Sequence, residues 1–289
     1  MTAVAGARLD AHLHLWDLRR GGYSWLTPDH GALYDSFTPE RARTEMDGCG
    51  VTGAILVQAE DSERDTEFLL AVAKRHEWVS GVVGWVQLDA PAVVQRQLDR
   101  WQRDRVFCGV RQLVHDDLRD DLLQRPEVRR SLAAVAQRGL VLDVPDAWPR
   151  HLLATAELAA ALPDLSVVLD HLGKPPLDPD SWSRWRAQVA EVAARPNTTA
   201  KVSGLQMPGR RLGVDTLRRT WDAALELFGP TRLMWGSDWP MTLLADGYAR
   251  TWAVLATLIG ELSQDEQRLV LSGTAARVYR LRGASDPLA

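Results

Sequence analysis

The sequence predicts an α/β protein built as a (β/α)8 barrel. Three observations predict this fold: a chain of 289 residues, an alternation of short apolar runs with helical patterns, and polar side chains that follow the apolar runs. Eight strands, each followed by a helix, in a chain of roughly 250 residues are typical of such a barrel. An open doubly wound sheet is the alternative, and the lack of a glycine-rich turn after the first apolar run disfavours it.

Eight apolar runs of strand length predict the barrel strands. In chain order they are Ala7–Leu15, Gly53–Gln58, Val79–Val86, Cys108–Val114, Leu140–Val144, Ser166–Asp170, Thr198–Val202 and Arg232–Trp235. No linker and no low-complexity segment divides the chain, so we expect residues 1–289 to form a single domain.

Helical patterns lie between the runs. The first begins at Thr38-Pro39-Glu40, where a capping residue precedes a proline at the first helical position. The others are predicted over Ser62–Arg75, Ala90–Arg103, Pro126–Gln137, Pro149–Leu162, Asp180–Ala194, Val214–Phe228, Tyr248–Gly260 and Ser263–Tyr279. The last of them opens on Ser263-Gln264-Asp265-Glu266, which is similar to a capping box.

Composition excludes several classes of partner. The net charge of -4 argues against a nucleic-acid surface. No apolar run approaches the roughly 18 residues that span a bilayer, and the first six residues lack the basic and apolar parts of a signal peptide. The two cysteines, Cys49 and Cys108, lie in apolar contexts and predict reduced, buried thiols in a cytoplasmic protein.

His12 and His14 lie two residues apart in the first run. Side chains alternate along a strand, so both imidazoles should point the same way and could polarise an oxygen or hold a metal. His171 and Asp238 follow later apolar runs. Because the carboxyl ends of barrel strands share one face, where active sites lie, we expect these four residues to form the catalytic site of an enzyme.

Other polar and aromatic residues near the strand ends are candidates for substrate binding. Arg111 offers forked donors for a carboxylate or hydroxyls, although a salt bridge inside the barrel would explain it as well. Tryptophan faces suit the C–H faces of sugars, and Trp16 and Trp239 flank the catalytic candidates. The remaining substrate-binding candidates are Lys174, Gln58 and Gln87. Asp170 is expected to face away from His171, and His30 and His115 are interpreted as local structural groups.

Five motifs, taken in order, resemble the amidohydrolase superfamily. They are Asp10-Ala11-His12-Leu13-His14, Gly109-Val110-Arg111, Asp170-His171-Leu172-Gly173-Lys174-Pro175, Lys201-Val202-Ser203-Gly204-Leu205 and Trp235-Gly236-Ser237-Asp238-Trp239-Pro240. They are most similar to its branch of sugar-acid lactonases, which contains L-fuconolactonases, L-rhamnonolactonases and pyrone dicarboxylate lactonases. The resemblance implies a distorted barrel that hydrolyses a cyclic ester. It also implies that the three histidines polarise the carbonyl or bind metal, and that Asp238 activates water.

The chain departs from the two-metal members of this superfamily. Those carry a bridging lysine or glutamate on the fourth strand and a histidine on the fifth, where this chain has Arg111 and Asp143. Arginine has no lone pair to donate, and its fixed charge opposes a second cation. Two hypotheses stay open: a metal-free site, or one divalent ion, zinc above all, held by His12, His14, His171 and Asp238.

The expected reaction is lactone hydrolysis. Asp238 takes a proton from the attacking water, and the histidines or a metal stabilise the oxyanion. The expected partner is a small-molecule substrate, and a homodimer is compatible with the sequence. The alternatives are a zinc-dependent decarboxylase of the aminocarboxymuconate-semialdehyde type and a non-catalytic barrel that binds a small molecule. We expect the loops at residues 16–37 and 206–212 to set specificity.

Overall fold

Eight parallel strands follow one another in chain order around one sheet in the computed structural model, which describes residues 7–206 and 211–281. The strands are β1 Leu9–Leu13, β2 Gly53–Val57, β3 Val79–Gly84, β4 Phe107–Arg111, β5 Val141–Val144, β6 Ser166–Leu169, β7 Thr198–Val202 and β8 Leu233–Trp235. Just past β1 and β8, Leu13 pairs with Trp239, and the Asp238 amide donates to the His12 carbonyl at 2.8 Å. The sheet is therefore a nearly closed barrel, and the predicted (β/α)8 fold is confirmed.

Helices separate the strands and pack around them. They are α1 Pro39–Gly48, α2 Glu63–Ala73, α3 Pro91–Trp101, α4 Pro126–Gln137, α5 Leu152–Ala161, α6 Pro179–Ala193, α7 Val214–Phe228 and α8 Gly247–Ile259, followed by α9 Gln264–Arg268 and α10 Thr274–Val278. Thr38 and Ser62 cap α1 and α2 through their side-chain oxygens. None of the helices in the described part of the chain is long and apolar enough to cross a membrane.

The last predicted helix is interrupted. Residues 263–279 form α9, a π-helical turn over Leu269–Gly273, and α10. This segment closes the floor of the barrel, because Ala275 and Tyr279 are buried in one apolar cluster with residues from most of the strands. The hydroxyl of Tyr279 donates to both carboxylate oxygens of Asp143 on β5, at 2.8 and 2.9 Å. The barrel interior is thus apolar at its floor, and its polar groups begin at Asp143.

The sequence also predicted the state of the cysteines. Cys49 and Cys108 are both buried and unpaired. Burial raises the pKa of the Cys108 thiol, so this group stays protonated.

Candidate active site

The ends of β1, β6 and β8 bring His12, His14, His171 and Asp238 together. Nε2 of His12 lies 3.0 Å from Nε2 of His14. Oδ1 of Asp238 lies 3.8 Å from Nε2 of His12, 3.5 Å from Nε2 of His14 and 3.8 Å from Nε2 of His171. All four side chains are buried. The four residues predicted from the strand ends therefore form one cluster around a single carboxylate oxygen.

Hydrogen bonds behind the cluster orient the rings. Nδ1 of His14 lies 2.8 Å from the carbonyl of Val57, which can only accept, so this nitrogen carries the proton and Nε2 offers its lone pair to the cluster. Nδ1 of His171 lies 2.9 Å from the hydroxyl of Ser203. Each ring is thereby held with Nε2 towards Asp238, the support that catalytic and metal-binding histidines need.

The electrostatics of the cluster favour the ionised form of Asp238. Burial lowers the pKa of both His12 and His171 below the usual histidine range. Burial opposes ionisation of Asp238, but His171 and His14 outweigh it and hold the pKa of that carboxyl below its usual range. Its second oxygen accepts a hydrogen bond of 2.8 Å from the amide of Gln206. Asp238 is therefore ionised at neutral pH.

The turn after β6 adopts left-handed backbone, with φ of +56° at His171 and +53° at Leu172. This turn breaks the alternation of a strand, so Asp170 does not face away from the site as expected. Its Oδ1 lies 3.3 Å from Nδ1 of His12. Gly204 makes room for the turn, because a Cβ there would lie 2.2 Å from Nδ1 of His171. Asp170 and His171 thus reach the same cluster from opposite sides.

A buried set of charges lies behind the histidines. Nζ of Lys201 is 2.6 Å from Asp143 and 3.0 Å from Asp170, and Nε of Arg111 is 3.0 Å from the other oxygen of Asp170. Burial opposes the charge of Lys201, but Asp143 and Asp170 outweigh it and raise the pKa of the ammonium. Two cations therefore neutralise the two carboxylates that could otherwise hold a second metal.

The donor set at the front of the cluster fits one metal ion. Ligand atoms of His12, His14 and Asp238 all lie within 4.8 Å of one another. Imidazole nitrogens with one carboxylate oxygen are ligands that zinc prefers. His171 belongs to a second such group, with His12 and Asp170, and its Nε2 lies 3.8 Å from Oδ1 of Asp238, so these residues together suit a single divalent ion.

A cavity of about 370 Å³ opens on this cluster. Among the predicted residues, His14, His171, Asp238, Arg111, Lys174 and Trp16 line it. Arg111 is already paired with Asp170, the indole of Trp16 donates to the carbonyl of Asp35, and Lys174 donates to the carbonyl of Gly204. Three predicted substrate-binding residues thus reach the cavity with part of their hydrogen-bonding capacity already used.

Three other predicted substrate-binding residues do not line this cavity. The amide of Gln58 donates to Asp61 and to the carbonyl of Arg111. Trp239 is buried edge-on against Phe37, because its main chain joins β8 to β1. Gln87 lines a separate cavity of about 360 Å³, because its loop turns outwards to α3, where its main-chain N–H donates to the side-chain oxygen of Gln97. The structure therefore does not bring Gln58, Gln87 or Trp239 to the catalytic cluster.

Four further polar residues line the cavity that the sequence did not single out for it. They are His30, His115, Asp116 and Asp146. The sequence indicates only local structural roles for His30 and His115, since it does not show where the loops that carry them run. Asp146 carried a usable signal, since it follows β5 by two residues. The predicted specificity loop at 16–37 reaches the cavity through Trp16, Trp25, His30 and Leu33, whereas residues 207–210 of the other loop lie outside the described residues.

Comparison with known proteins agrees with this geometry. An L-fucono-1,5-lactonase from Burkholderia ambifaria is 34% identical over 95% of this chain and 96% of its own. An L-fucono-1,5-lactonase from Burkholderia multivorans is 33% identical over 98% of this chain and 99% of its own. A crystal structure of an amidohydrolase from Burkholderia multivorans with bound zinc superimposes with a TM-score of 0.88, at 32% identity over 96% of this chain and 100% of that chain.

The family comparison covers nearly the whole described chain. The sequence profile of the amidohydrolase family matches residues 9–281, from β1 to beyond α10. Together with the barrel and the clustered histidines, this confirms the predicted resemblance and the prediction of an enzyme. The chain belongs to the amidohydrolase family.

Proposed function

We propose that the protein hydrolyses a sugar lactone, an aldonolactone of the L-fucono-1,5-lactone type, to the open-chain acid. The observation that carries the proposal is the ionised carboxylate of Asp238 among three imidazoles at the inner end of a cavity. The broader assignment, a lactone-hydrolysing enzyme, rests on two relatives above 30% identity that are both named as L-fucono-1,5-lactonases. The individual sugar and the steps below are our proposal.

In the proposed reaction, Asp238 removes a proton from a water molecule as its oxygen attacks the lactone carbonyl. The carbonyl oxygen becomes an oxyanion beside His171, whose Nε2–H can donate a hydrogen bond to it when the Ser203 hydroxyl donates to Nδ1. The bond between the carbonyl carbon and the ring oxygen then breaks, and the ring oxygen takes the proton that Asp238 received. The product is a hydroxy acid with an open chain.

His12, His14, His171 and Asp238 would hold the metal. When bound, a divalent ion would act as a Lewis acid and lower the pKa of water. The chain's own residues supply the orientation: Val57 and Ser203 fix two of the imidazoles, and Gln206 fixes the carboxylate. Arg111 and Lys174 lie at the cavity wall, where they can donate to substrate oxygens.

The test is proton release from a panel of aldonolactones and pyrone lactones, with and without a chelator. We expect catalysed hydrolysis of at least one aldonolactone above the uncatalysed rate. Release of CO2 from an aromatic or muconate carboxylate, without lactone hydrolysis, would instead support the decarboxylase alternative. Ligand binding without turnover by the folded, zinc-supplemented protein would support the binding barrel. A small molecule as the partner and a homodimer as the assembly also stay proposals.

A further inference from the structure

Asp146 is the residue in the cavity that the reaction leaves unused. It lies in the loop after β5 and lines the cavity together with His171 and Asp238. Its backbone is left-handed, with φ of +42°, an uncommon conformation for a residue with a side chain. Such strain is concentrated at functional sites, where the surrounding structure holds it. The strain therefore fixes where this carboxylate points.

The carboxylate of Asp146 is also short of partners. Its Oδ1 is buried without a hydrogen bond, and no ion pair to Asp146 occurs among residues 7–206 and 211–281. Oδ1 is closed to solvent, so Asp146 meets the cavity through Oδ2, which also has no hydrogen bond to the described residues. His115 lines the same cavity, and its Nε2, 3.7 Å from Asp116, has no hydrogen bond to them either. Two polar atoms, Oδ2 of Asp146 and Nε2 of His115, are therefore available to a ligand.

Neither of the two cationic side chains in the cavity, Arg111 or Lys174, pairs with the carboxylate of Asp146. Arg111 is committed to Asp170, and Lys174 donates to Gly204. Burial lowers the pKa of His115 and of His171, and the negative charge of Asp146 opposes that effect on both rings. The negative charge of Asp146 therefore acts on other groups in the cavity. This carboxylate would repel a substrate carboxylate, and it would accept hydrogen bonds from substrate hydroxyl groups.

We propose that Asp146, with His115, recognises the hydroxyl groups of the lactone and selects neutral, polyhydroxylated lactones over lactones that carry a carboxylate. This inference rests on the proposed lactone hydrolysis and names the substrate class of that site. Asp146 accepts from a substrate hydroxyl, and His115 supplies a second hydrogen bond. The selection has a direction, because a neutral hydroxyl can donate a hydrogen bond to Oδ2 of Asp146, whereas a substrate carboxylate is repelled by its charge.

The test compares lactones that differ by one group. L-fuconolactone and L-galactonolactone are the neutral probes, and galactarolactone carries a carboxylate where galactonolactone carries a primary alcohol. We expect the wild-type protein to favour the neutral probes in kcat/KM by at least about ten-fold, the worth of one charge-assisted hydrogen bond. Asp146→Asn should reduce this ratio by about ten-fold, mainly by slowing the neutral probes.

Asn suits the test because it tolerates left-handed backbone nearly as well as Asp. Asp222→Asn is the matched control: it removes the same charge from an exposed position on α7, outside the cavity and away from His115, so the ratio should not change. Circular dichroism and unfolding curves show that each variant is folded, and Asp146→Ser replaces Asp146→Asn if the latter is not.

The two proposals fail differently. Lactone hydrolysis with an unchanged ratio in folded Asp146→Asn, or a wild-type preference for galactarolactone, overturns this inference and leaves the proposed function standing. No hydrolysis of any lactone by the folded wild-type protein overturns the proposed function, and this inference with it.

Discussion

Nζ of Lys201 lies 3.1 Å from Nδ1 of His12, and both side chains are fully buried. An ammonium can only donate, so a hydrogen bond from Lys201 leaves the proton of His12 on Nε2, facing His14 and Asp238. Asp170 competes for the same nitrogen at 3.3 Å, and a bond from Nδ1–H to Asp170 leaves a lone pair on Nε2. The first arrangement makes His12 a hydrogen-bond donor within the cluster, and the second makes it able to bind a metal.

Replacement of Asp238 tests the catalytic carboxylate. Asp238→Asn should lower kcat by about 10²- to 10⁴-fold, because an amide cannot take the proton of the attacking water. The unfolding midpoint should change little, since Asn can still accept from Gln206. Proton release measures the rate. Asp222→Asn, at an exposed position on α7, is the control. Near-normal turnover in Asp238→Asn would contradict the proposed mechanism.

Metal content tests the donor set. Protein equilibrated with dilute zinc and then dialysed should retain at most one ion per chain, because Lys201 and Arg111 neutralise the carboxylates that a second ion would need. His14→Ala should lose most of this zinc, since it removes one of the clustered nitrogens. Elemental analysis by mass spectrometry measures the ratio, with His76→Ala as the control. Two tightly held ions per chain would contradict this prediction, because they would mean that Lys201 and Arg111 do not prevent a second ion from binding.

The buried charges make a separate prediction for stability. Lys201→Met should cost about 3–5 kcal/mol in the free energy of unfolding, because Asp143 is left buried without its cation. The double variant Lys201→Met with Asp143→Asn should lose less, since it removes the stranded charge as well. Urea unfolding curves measure both. Equal losses in the single and double variants would mean that the pair is not coupled.

Stability should also depend on pH through Asp65. Burial raises the pKa of this carboxyl to about 6, although Tyr23 and the amide of Ala59 donate to it. The folded state therefore binds the proton more tightly than the unfolded state does. Asp65 contributes most stability below pH 4, and this contribution is lost as pH rises through about 6, by about 3 kcal/mol in total.

The measurement for Asp65 is the free energy of unfolding at several pH values between 4 and 8. Asp65→Asn should flatten this dependence, and Asp29→Asn, at an exposed position, should leave it as in the wild type. The hydroxyl of Tyr23 can turn to accept from the new amide, so Asn can be accommodated. A pH dependence equally steep in Asp65→Asn and the wild type would place the titrating group elsewhere.

The cluster of His12, His14, His171 and Asp238 could be predicted because each of these residues lies at or just beyond the end of an apolar strand. His12 and His14 follow from strand alternation, and His171 and Asp238 from the barrel rule that strand ends share one face. Asp170 could not be placed in this way, because the left-handed turn at His171 ends the alternation. Asp146 and His115 lie in loops, where position depends on contacts that no periodic pattern records.

The course of the loops also explains why Gln87 and Trp239, which were predicted to bind substrate, do not line the cavity. Gln87, like Asp238, lies three residues beyond its strand, but its main chain bonds to Gln97 on α3 and its loop turns away from the cavity. Trp239 directly follows Asp238, yet the closure of the barrel through its main chain leaves its ring in the core. The hydrogen bonds and packing of each loop, rather than its distance from the strand, decide which side chains reach the cavity.

Tyr279, which helps to close the floor of the barrel, is synthesised after the residues that it covers. It meets Asp143 from a position 136 residues later in the chain, after all eight strands. A ribosome therefore releases every strand before the residue that seals the floor. Until then, Asp143 lacks the hydrogen bonds that Tyr279 supplies from the floor of the barrel.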